Sequence, residues 1–279
     1  MKPLLLDCFC CAGGAGMGFS QAGFDVVGID IEPQPRYPFP FILGDVIDIL
    51  SRMLQGEKFT ASNGKEYSIT DFSAFHASPP CQRYSTMTNG RWQDRVENHP
   101  DLIAPVRELL RKTGKPYDIE NVEGARKELI NPVMLCGTMF GLQTKAGSQL
   151  RRHRYFELSI PMMLTPTCQH NKASAIGVYG GGQNPARRKP ATIGVYGHAG
   201  GSSNRDNLVS FGTQDRRDAM EISWMSGDEL SEAIPPAFTK FIGQYVITCL
   251  TKREPDKRDS SPSQAFSQPE FLSDLEGLS

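Results

Sequence analysis

Short apolar runs, each closed by an acid, a cysteine or a turn residue, recur through the first half of the chain. Leu4-Leu5-Leu6 ends in Asp7, Val26-Val27-Gly28-Ile29 ends in Asp30, and Phe41-Ile42-Leu43 meets Gly44-Asp45. Phe72 to Ala77 runs into Ser78-Pro79-Pro80-Cys81-Gln82, and Tyr117-Asp118-Ile119 ends in Glu120-Asn121-Val122. Runs of this length bounded by such residues read as short buried strands. Helical spacing lies between them, over Met17 to Ala22 and Val46 to Leu54. Leu102, Ile103, Val106, Leu109 and Leu110 make a third helical face, started by Pro100-Asp101 and stopped at Gly114. Residues 55–70 are polar, with Gly56 and Asn63-Gly64, and predict a hairpin or an excursion. Alternating strands and helices predict an α/β fold with a doubly wound, mostly parallel sheet. Ligands bind such sheets outside the carboxyl ends of the strands, where Asp30, Asp45, Cys81 and Glu120 all fall.

The patterning changes after Glu157. Residues 159–217 are rich in Gly, Asn, Ser, Pro and Arg, and Ile176-Gly177-Val178-Tyr179-Gly180 recurs as Ile193-Gly194-Val195-Tyr196-Gly197. Two copies are too few for a solenoid and predict two similar strand-and-loop units. Helical spacing resumes at Arg216, with Met220, Trp224 and Met225, and continues from Pro236 to Cys249. From Lys252 the chain is polar with Ser-Pro pairs and is expected to be disordered. The expected division is therefore 1–158, 159–217, 218–251 and a tail at 252–279.

With 279 residues, 39% apolar and 22% charged, the composition is that of an ordinary globular protein. No apolar run approaches the ~20 residues of a membrane span, so no membrane partner is expected. The N-terminus meets Asp7 too early for a signal peptide. Seven cysteines, an odd number in a long chain, suit a reducing, cytoplasmic compartment. Cys8, Cys10 and Cys11 cluster, and Cys168 lies two positions before His170, but Cys8 and Cys11 have no second C-x₂-C pair to complete a zinc knuckle, so no metal is expected. Net charge is −1, yet Leu150 to Arg217 holds ten cationic and three acidic residues. That local excess suits a polyanionic partner or a solvated loop, and charge alone does not separate the two.

The strand ends carry the chemistry. Asp7-Cys8-Phe9-Cys10-Cys11-Ala12-Gly13-Gly14 leaves a strand and opens a helix, letting backbone approach a cofactor next to free amides. Asp30 is placed for the hydroxyls of a ribose and Asp45 for an adenine amine. Cys81, held after two prolines among polar neighbours, is a nucleophile candidate rather than a structural thiol. Glu120 ends an apolar strand, where burial would raise its pKa and let it donate a proton near neutrality. Addition of a thiolate to carbon 6 of cytosine, with a carboxyl group at nitrogen 3, makes carbon 5 nucleophilic toward a sulfonium methyl.

Asp7-Cys8-Phe9, Gly13-Gly14, Pro80-Cys81-Gln82, Glu120-Asn121-Val122 and Arg152-His153-Arg154 resemble, in order, the signature motifs of the cytosine-C5 DNA methyltransferases. The resemblance covers about residues 4–158 and 216–250 and is greatest to the compact forms carried by bacteriophages. It implies a Rossmann-like catalytic domain at 1–158, a small irregular target-recognition region at 159–217, and a helical return at 218–251. It implies that Cys81 attacks, Glu120 engages nitrogen 3, Arg154 holds the cytosine oxygen or a phosphate, and Arg152 supports the centre. Phe9, Gly13, Gly14, Asp30, Asp45, Pro80 and Glu232 would line an S-adenosylmethionine pocket. Gln82, Arg83 and Ser85, in a loop hinged at Gly90, would meet double-stranded DNA, with Arg187, Arg188 and Lys189 gripping phosphates. Gln183, Asn184 and Asn204 are candidates for reading base edges. A monomer is expected, and a role in restriction-modification is one that phage relatives suggest.

The chain departs from the family where Cys11 replaces a glycine, where Leu150 stands in register with a glutamine, and where Ser231-Glu232 replaces Gly-Asn. The last departure bears on donor affinity or identity. Alternatives are the same chemistry on tRNA, a modified sulfonium donor, a non-catalytic nucleic-acid-binding protein, and a nicotinamide-dependent oxidoreductase. The oxidoreductase would leave Cys81, Glu120 and Arg154 without a joint role.

Overall fold

The computed structural model describes residues 2–84, 100–162, 164–170, 175–177, 192–194 and 212–253. Ser85, Gly90, Gln183, Asn184, Arg187, Arg188, Lys189, Asn204 and the tail after 253 lie outside the described residues. The strands are β1 (Leu4–Cys8), β2 (Asp25–Asp30), β3 (Phe41–Leu43), β4 (Phe59–Thr60), β5 (Glu66–Tyr67) and β6 (Ala74–Ala77). They continue as β7 (Tyr117–Asn121), β8 (Val133–Cys136), β9 (Gln149–Arg151), β10 (His153–Leu158), β11 (Ala175–Gly177) and β12 (Thr192–Gly194). The helices are α1 (Gly14–Ala22), α2 (Val46–Leu54), α3 (Ile103–Lys112), α4 (Thr213–Met220), α5 (Gly227–Glu232) and α6 (Pro236–Arg253).

Seven strands form one sheet in the order β3-β2-β1-β6-β7-β10-β8. The pairs β3–β2, β2–β1, β1–β6 and β6–β7 are parallel, while β10 runs antiparallel to both β7 and β8. The expected doubly wound sheet is present, and its order reverses between β1 and β6, the switch point where such sheets bind ligands. Residues 55–70 form the expected hairpin, with β4 and β5 antiparallel around Gly64 at φ 77°.

Alternation along each strand feeds two cores. Leu5, Val26, Ala74 and Phe156 pack under Phe19, Phe238 and Ile242 on one face. Leu6, Val27, Phe75 and Ile119 meet Ile49, Met53, Val106 and Leu110 on the other. Gly18 lets α1 and α6 touch backbone to side chain: a Cβ there would lie 2.0 Å from Thr239 Oγ1 and 2.1 Å from the Pro236 carbonyl.

Strands β8 and β10 were not expected from sequence. Arg154 and Glu157 interrupt the apolar run of β10, and both are buried. Glu157 is paid back in charge by Arg107 on α3, whose Nε and Nη2 donate at 2.8 and 2.7 Å, and it also accepts the Ile130 amide. The strand is therefore staked by ion pairs instead of apolar alternation. The repeat copies pair with each other: β11 and β12 are parallel with Ile176 opposite Ile193, and β11 also pairs with β9.

A polar row crosses the sheet centre beneath α1. Asp7, His76 and Asp118 occupy neighbouring register positions on β1, β6 and β7. All three are buried, with His76 Nδ1 2.6 Å from Asp118 Oδ2 and the Phe19 ring 5.3 Å from the imidazole. Tyr37 donates its hydroxyl to Asp7 Oδ2 at 3.1 Å, its ring lying where a Cβ on Gly28 would be. Burial pushes Asp7 up to about 7, against the pull of His76 and Tyr37. Burial disfavours a charged His76, but Asp118, then Asp7 and Glu120, outweigh it and raise the imidazole to about 9.

Two outcomes follow for stability. Gly18→Ala should cost about 1–3 kcal/mol by forcing α1 off α6, seen as a lower urea midpoint. A histidine raised from 6.5 to about 9 stabilises fully below 6.5 and loses that contribution as pH climbs through 9. The urea midpoint should therefore fall from pH 6.5 to 9.5, by an equivalent on the order of 3 kcal/mol, and His76→Gln should flatten that slope.

Candidate active site

The turn after β1 carries three residues in the left-handed region: Phe9 at φ 60°, Cys11 at φ 43° and Gly13 at φ 84°. Cys11 thus keeps a conformation that favours glycine, at a cost of about 1 kcal/mol. The turn is held from below by Asp30, whose Oδ2 accepts the Cys11 amide at 2.9 Å while Oδ1 accepts the Glu32 amide at 3.0 Å. It is held from the side by Trp224, which donates to the Ala12 carbonyl at 2.8 Å. Gly14 lies against the chain before α6, where an added Cβ would sit 2.5 Å from the Ile234 carbonyl. Gly13 caps α1 without a side chain, so the first amides of the helix keep their donor capacity for a ligand.

Asp30 is buried and does structural work as well as standing at the carboxyl edge; each oxygen retains a second lone pair for a ligand hydroxyl. Asp45 caps α2 by accepting the Asp48 amide at 2.9 Å. Beside these acids Ile31 and Leu43 are 63% and 58% exposed, an apolar rim for a flat ligand. These features fit a nucleoside-bearing cofactor. Sequence reading passed over Ile31 and Leu43, although both abut the acids that close β2 and β3.

The loop after β6 is tied down on both sides. Ser78 donates its amide to the Cys8 carbonyl and its hydroxyl to the Phe9 carbonyl. Asn121 Nδ2 donates to the Pro79 carbonyl at 2.9 Å, and the Tyr84 amide closes a turn on the Cys81 carbonyl. Gly124 admits this turn, since a Cβ there would meet the Tyr84 carbonyl at 1.9 Å. Cys81 is half-buried, while Pro80, Gln82 and Arg83 are exposed around it. Burial, then the charge of Glu120, pushes the Cys81 thiol up, and Arg154 and Arg152 pull it down.

Glu120 is buried on β7 opposite Phe156 of β10. Arg154 Nε lies 2.9 Å from Glu120 Oε1, yet that oxygen makes no hydrogen bond among the described residues. The contact is an ion pair without hydrogen-bond alignment. Burial raises the Glu120 pKa, opposed by Arg154, His76 and Arg152. Arg152 is wholly buried and donates from Nη2 to the Ser231 carbonyl at 2.8 Å, fastening the β9–β10 arm to the end of α5. Glu232 follows there. Partial desolvation, then Asp30, Asp228 and Glu229, push its carboxyl up although its surface is largely exposed. Cys11 in turn is pushed up by burial and then by Asp30, Glu232, Asp7 and Cys81.

The turn after β1, Cys81, Glu120, Arg152, Arg154 and Glu232 thus lie close enough to act on one another's charge, at the switch point. The arrangement can add a thiol across an electrophilic double bond while a buried carboxyl group protonates the same molecule. Leu150 is fully buried within the apolar core. Sequence reading missed Asn121 as the tether of Pro79 and missed His76 with Asp118 behind Glu120. A single histidine inside the run Phe72 to Ala77, and an acid two positions before Glu120, were the signals available.

Among the described residues no helix is long and apolar enough to cross a membrane. No protein-family model matches the sequence, and no curated protein matches it significantly. Solved structures do match. One is an E. coli protein described as a DNA modification methyltransferase encoded within a prophage, at 13% identity and TM-score 0.50, covering 90% of this chain and all of that one. The Entamoeba histolytica methyltransferase EhMeth and the S. pombe Dnmt2 methyltransferase match at 12% identity and TM-score 0.49, each covering 90% of this chain and 99% of theirs. What the chain shares with the prophage protein is architecture: it has the mostly parallel, Rossmann-like α/β fold of a methyltransferase.

Proposed function

We propose that this protein transfers a methyl group from S-adenosylmethionine to carbon 5 of a cytosine extruded from duplex DNA. The observation that carries the reading is the buried Glu120 Oε1, ion-paired but without a hydrogen bond, in electrostatic contact with the thiol of Cys81. A carboxyl oxygen left in that state is costly unless a ligand completes it. Nitrogen 3 of cytosine, across the ring from carbon 6, supplies the missing partner.

Cys81 Sγ adds to carbon 6 as Glu120 delivers a proton to nitrogen 3, which turns the ring into an enamine. Arg154 keeps Glu120 in place and, with Arg152, favours the thiolate form of Cys81. After methylation, the carbon 5 proton passes to solvent, the Cys81 thiolate leaves carbon 6, and the nitrogen 3 proton returns to Glu120. The donor would supply an electrophilic methyl group. Phe9, the turn at Cys11 to Gly14, Asp30, Asp45 and Pro80 would hold it, with Ile31 and Leu43 on its adenine side. Asp30 and Glu232, both acidic, give that pocket a field suited to a sulfonium cation. Exposed Gln82 and Arg83 flank Cys81 where a strand would pass, and Ser85 with the 187–189 cluster would extend the grip. Extrusion costs a few kcal/mol, offset by contacts in the pocket and to the backbone.

Incubation with S-adenosylmethionine carrying a labelled methyl should label duplex DNA and not tRNA. Cys81→Ser should reduce labelling to background and Glu120→Gln should lower the rate by about 10²-fold or more. Label confined to tRNA would overturn the substrate, and full activity in Cys81→Ser would overturn the mechanism.

A further inference from the structure

A second cluster lies outside this site, at the far edge of the sheet. Cys136 ends β8 and His153 begins β10, and the two residues are directly opposite in the antiparallel register. Cys168 and His170 come from the segment that follows β10. The four ligand-type atoms, Cys136 Sγ, His153 Nε2, Cys168 Sγ and His170 Nε2, all lie within 4.8 Å of one another. We propose that they form a structural zinc site that clips the start of the 159–217 region to the catalytic sheet.

Four of the six separations match a tetrahedron's edges, and the other two are within 4.8 Å. Zinc with Zn–N of about 2.0–2.1 Å and Zn–S of about 2.3 Å requires about 3.3 Å between nitrogens and about 3.6 Å between nitrogen and sulfur. The two imidazole nitrogens are 3.3 Å apart. The nitrogen–sulfur distances are 3.4 Å for His170 to Cys136, 3.2 Å for His170 to Cys168 and 3.6 Å for His153 to Cys168. Hydrogen bonding alone explains this poorly. His170 Nε2 faces two sulfurs and another ring nitrogen at once, and a ring nitrogen offers either one proton or one lone pair. A cation satisfies all four donors together.

The surroundings fit a ligand set. Thr138 Oγ1 donates to Cys136 Sγ at 3.3 Å and lies 3.7 Å from Cys168 Sγ, an outer hydroxyl of the kind that steadies thiolates. The two imidazole planes are within 11° of parallel, with centroids 5.2 Å apart. Two thiolates with two imidazoles select zinc over the hard cations calcium and magnesium. Four protein ligands leave no open position, which makes the site structural. Spacing rules missed it because one pair is made across two strands and the other is C-x-H. The placement has a consequence. His153 sits between Arg152 and Arg154, so the ion would brace the start of β10 beside both arginines and the segment leading away from that strand.

The test needs no assumption about catalysis. Untagged full-length protein, expressed with zinc in the medium and purified without chelator, should carry about one zinc per chain by elemental mass spectrometry. Cys168→Ser and His170→Ala, both off the sheet, should each lose most of it, while Cys249→Ser should keep it. Refilling the wild-type protein with cobalt should give the thiolate charge-transfer and ligand-field bands of a tetrahedral S₂N₂ site, a readout independent of how the variants fold. Wild-type protein with far less than one zinc per chain, zinc unchanged in both ligand variants, cobalt bands of another geometry, or a disulfide between Cys136 and Cys168 would each overturn the proposal.

Discussion

Glu120 is a carboxylate deep in the sheet beside a guanidinium that balances its charge without satisfying its oxygen. That mismatch organises the site. Removing a charged group from water costs several kcal/mol unless partners replace the hydration, so the chain assembles cations around it: Arg154 in contact, with Arg152 and His76 contributing at longer range. His76 is itself held by Asp118, so the charges that tune Glu120 continue into the polar row under α1. A buried carboxyl group with a raised pKa and an incomplete hydrogen-bond shell is poised to share a proton with a ligand.

The scaffold explains why the groups stay together. The strands β1, β2, β3, β6 and β7 all end on one edge, and loops leaving neighbouring strands hydrogen-bond to one another. Ser78 reaches back to the turn after β1, Asn121 reaches across to Pro79, and Asp30 reaches under to Cys11. The C-terminal part closes the same region through Trp224, Ile234 and the Ser231 carbonyl. Separated stretches of sequence are thereby tied to one another around Cys81.

Much of this was legible in the sequence. The five parallel strands announced themselves as apolar runs closed by acids, turn residues or candidate site residues, and Cys81 and Glu120 stood at two of those closures. The strands beyond them did not, because β10 buries Arg154 and Glu157 and so loses the alternation that marks a strand. Cys11 looked like a departure from a glycine position, yet its backbone adopts the left-handed conformation such a position requires. The Asp7–His76–Asp118 row and the Cys136–His153 pair depend on which strands become neighbours, and strand order is not written in local patterning. Leu150, in register with a polar family position, proved to be core.

In the proposed reaction the sulfur of Cys81 and the carboxyl of Glu120 act on one pyrimidine ring. Duplex DNA in which 5-fluorocytosine replaces cytosine tests it most directly, because fluorine blocks the final elimination and traps the adduct. Intact-mass analysis after incubation with S-adenosylmethionine should show one covalent protein–DNA complex. Peptide mapping should place the bond on Cys81, with adduct formation slowed strongly in Glu120→Gln. An adduct on another residue, or trapping at an undiminished rate when Glu120 is replaced, would contradict the account.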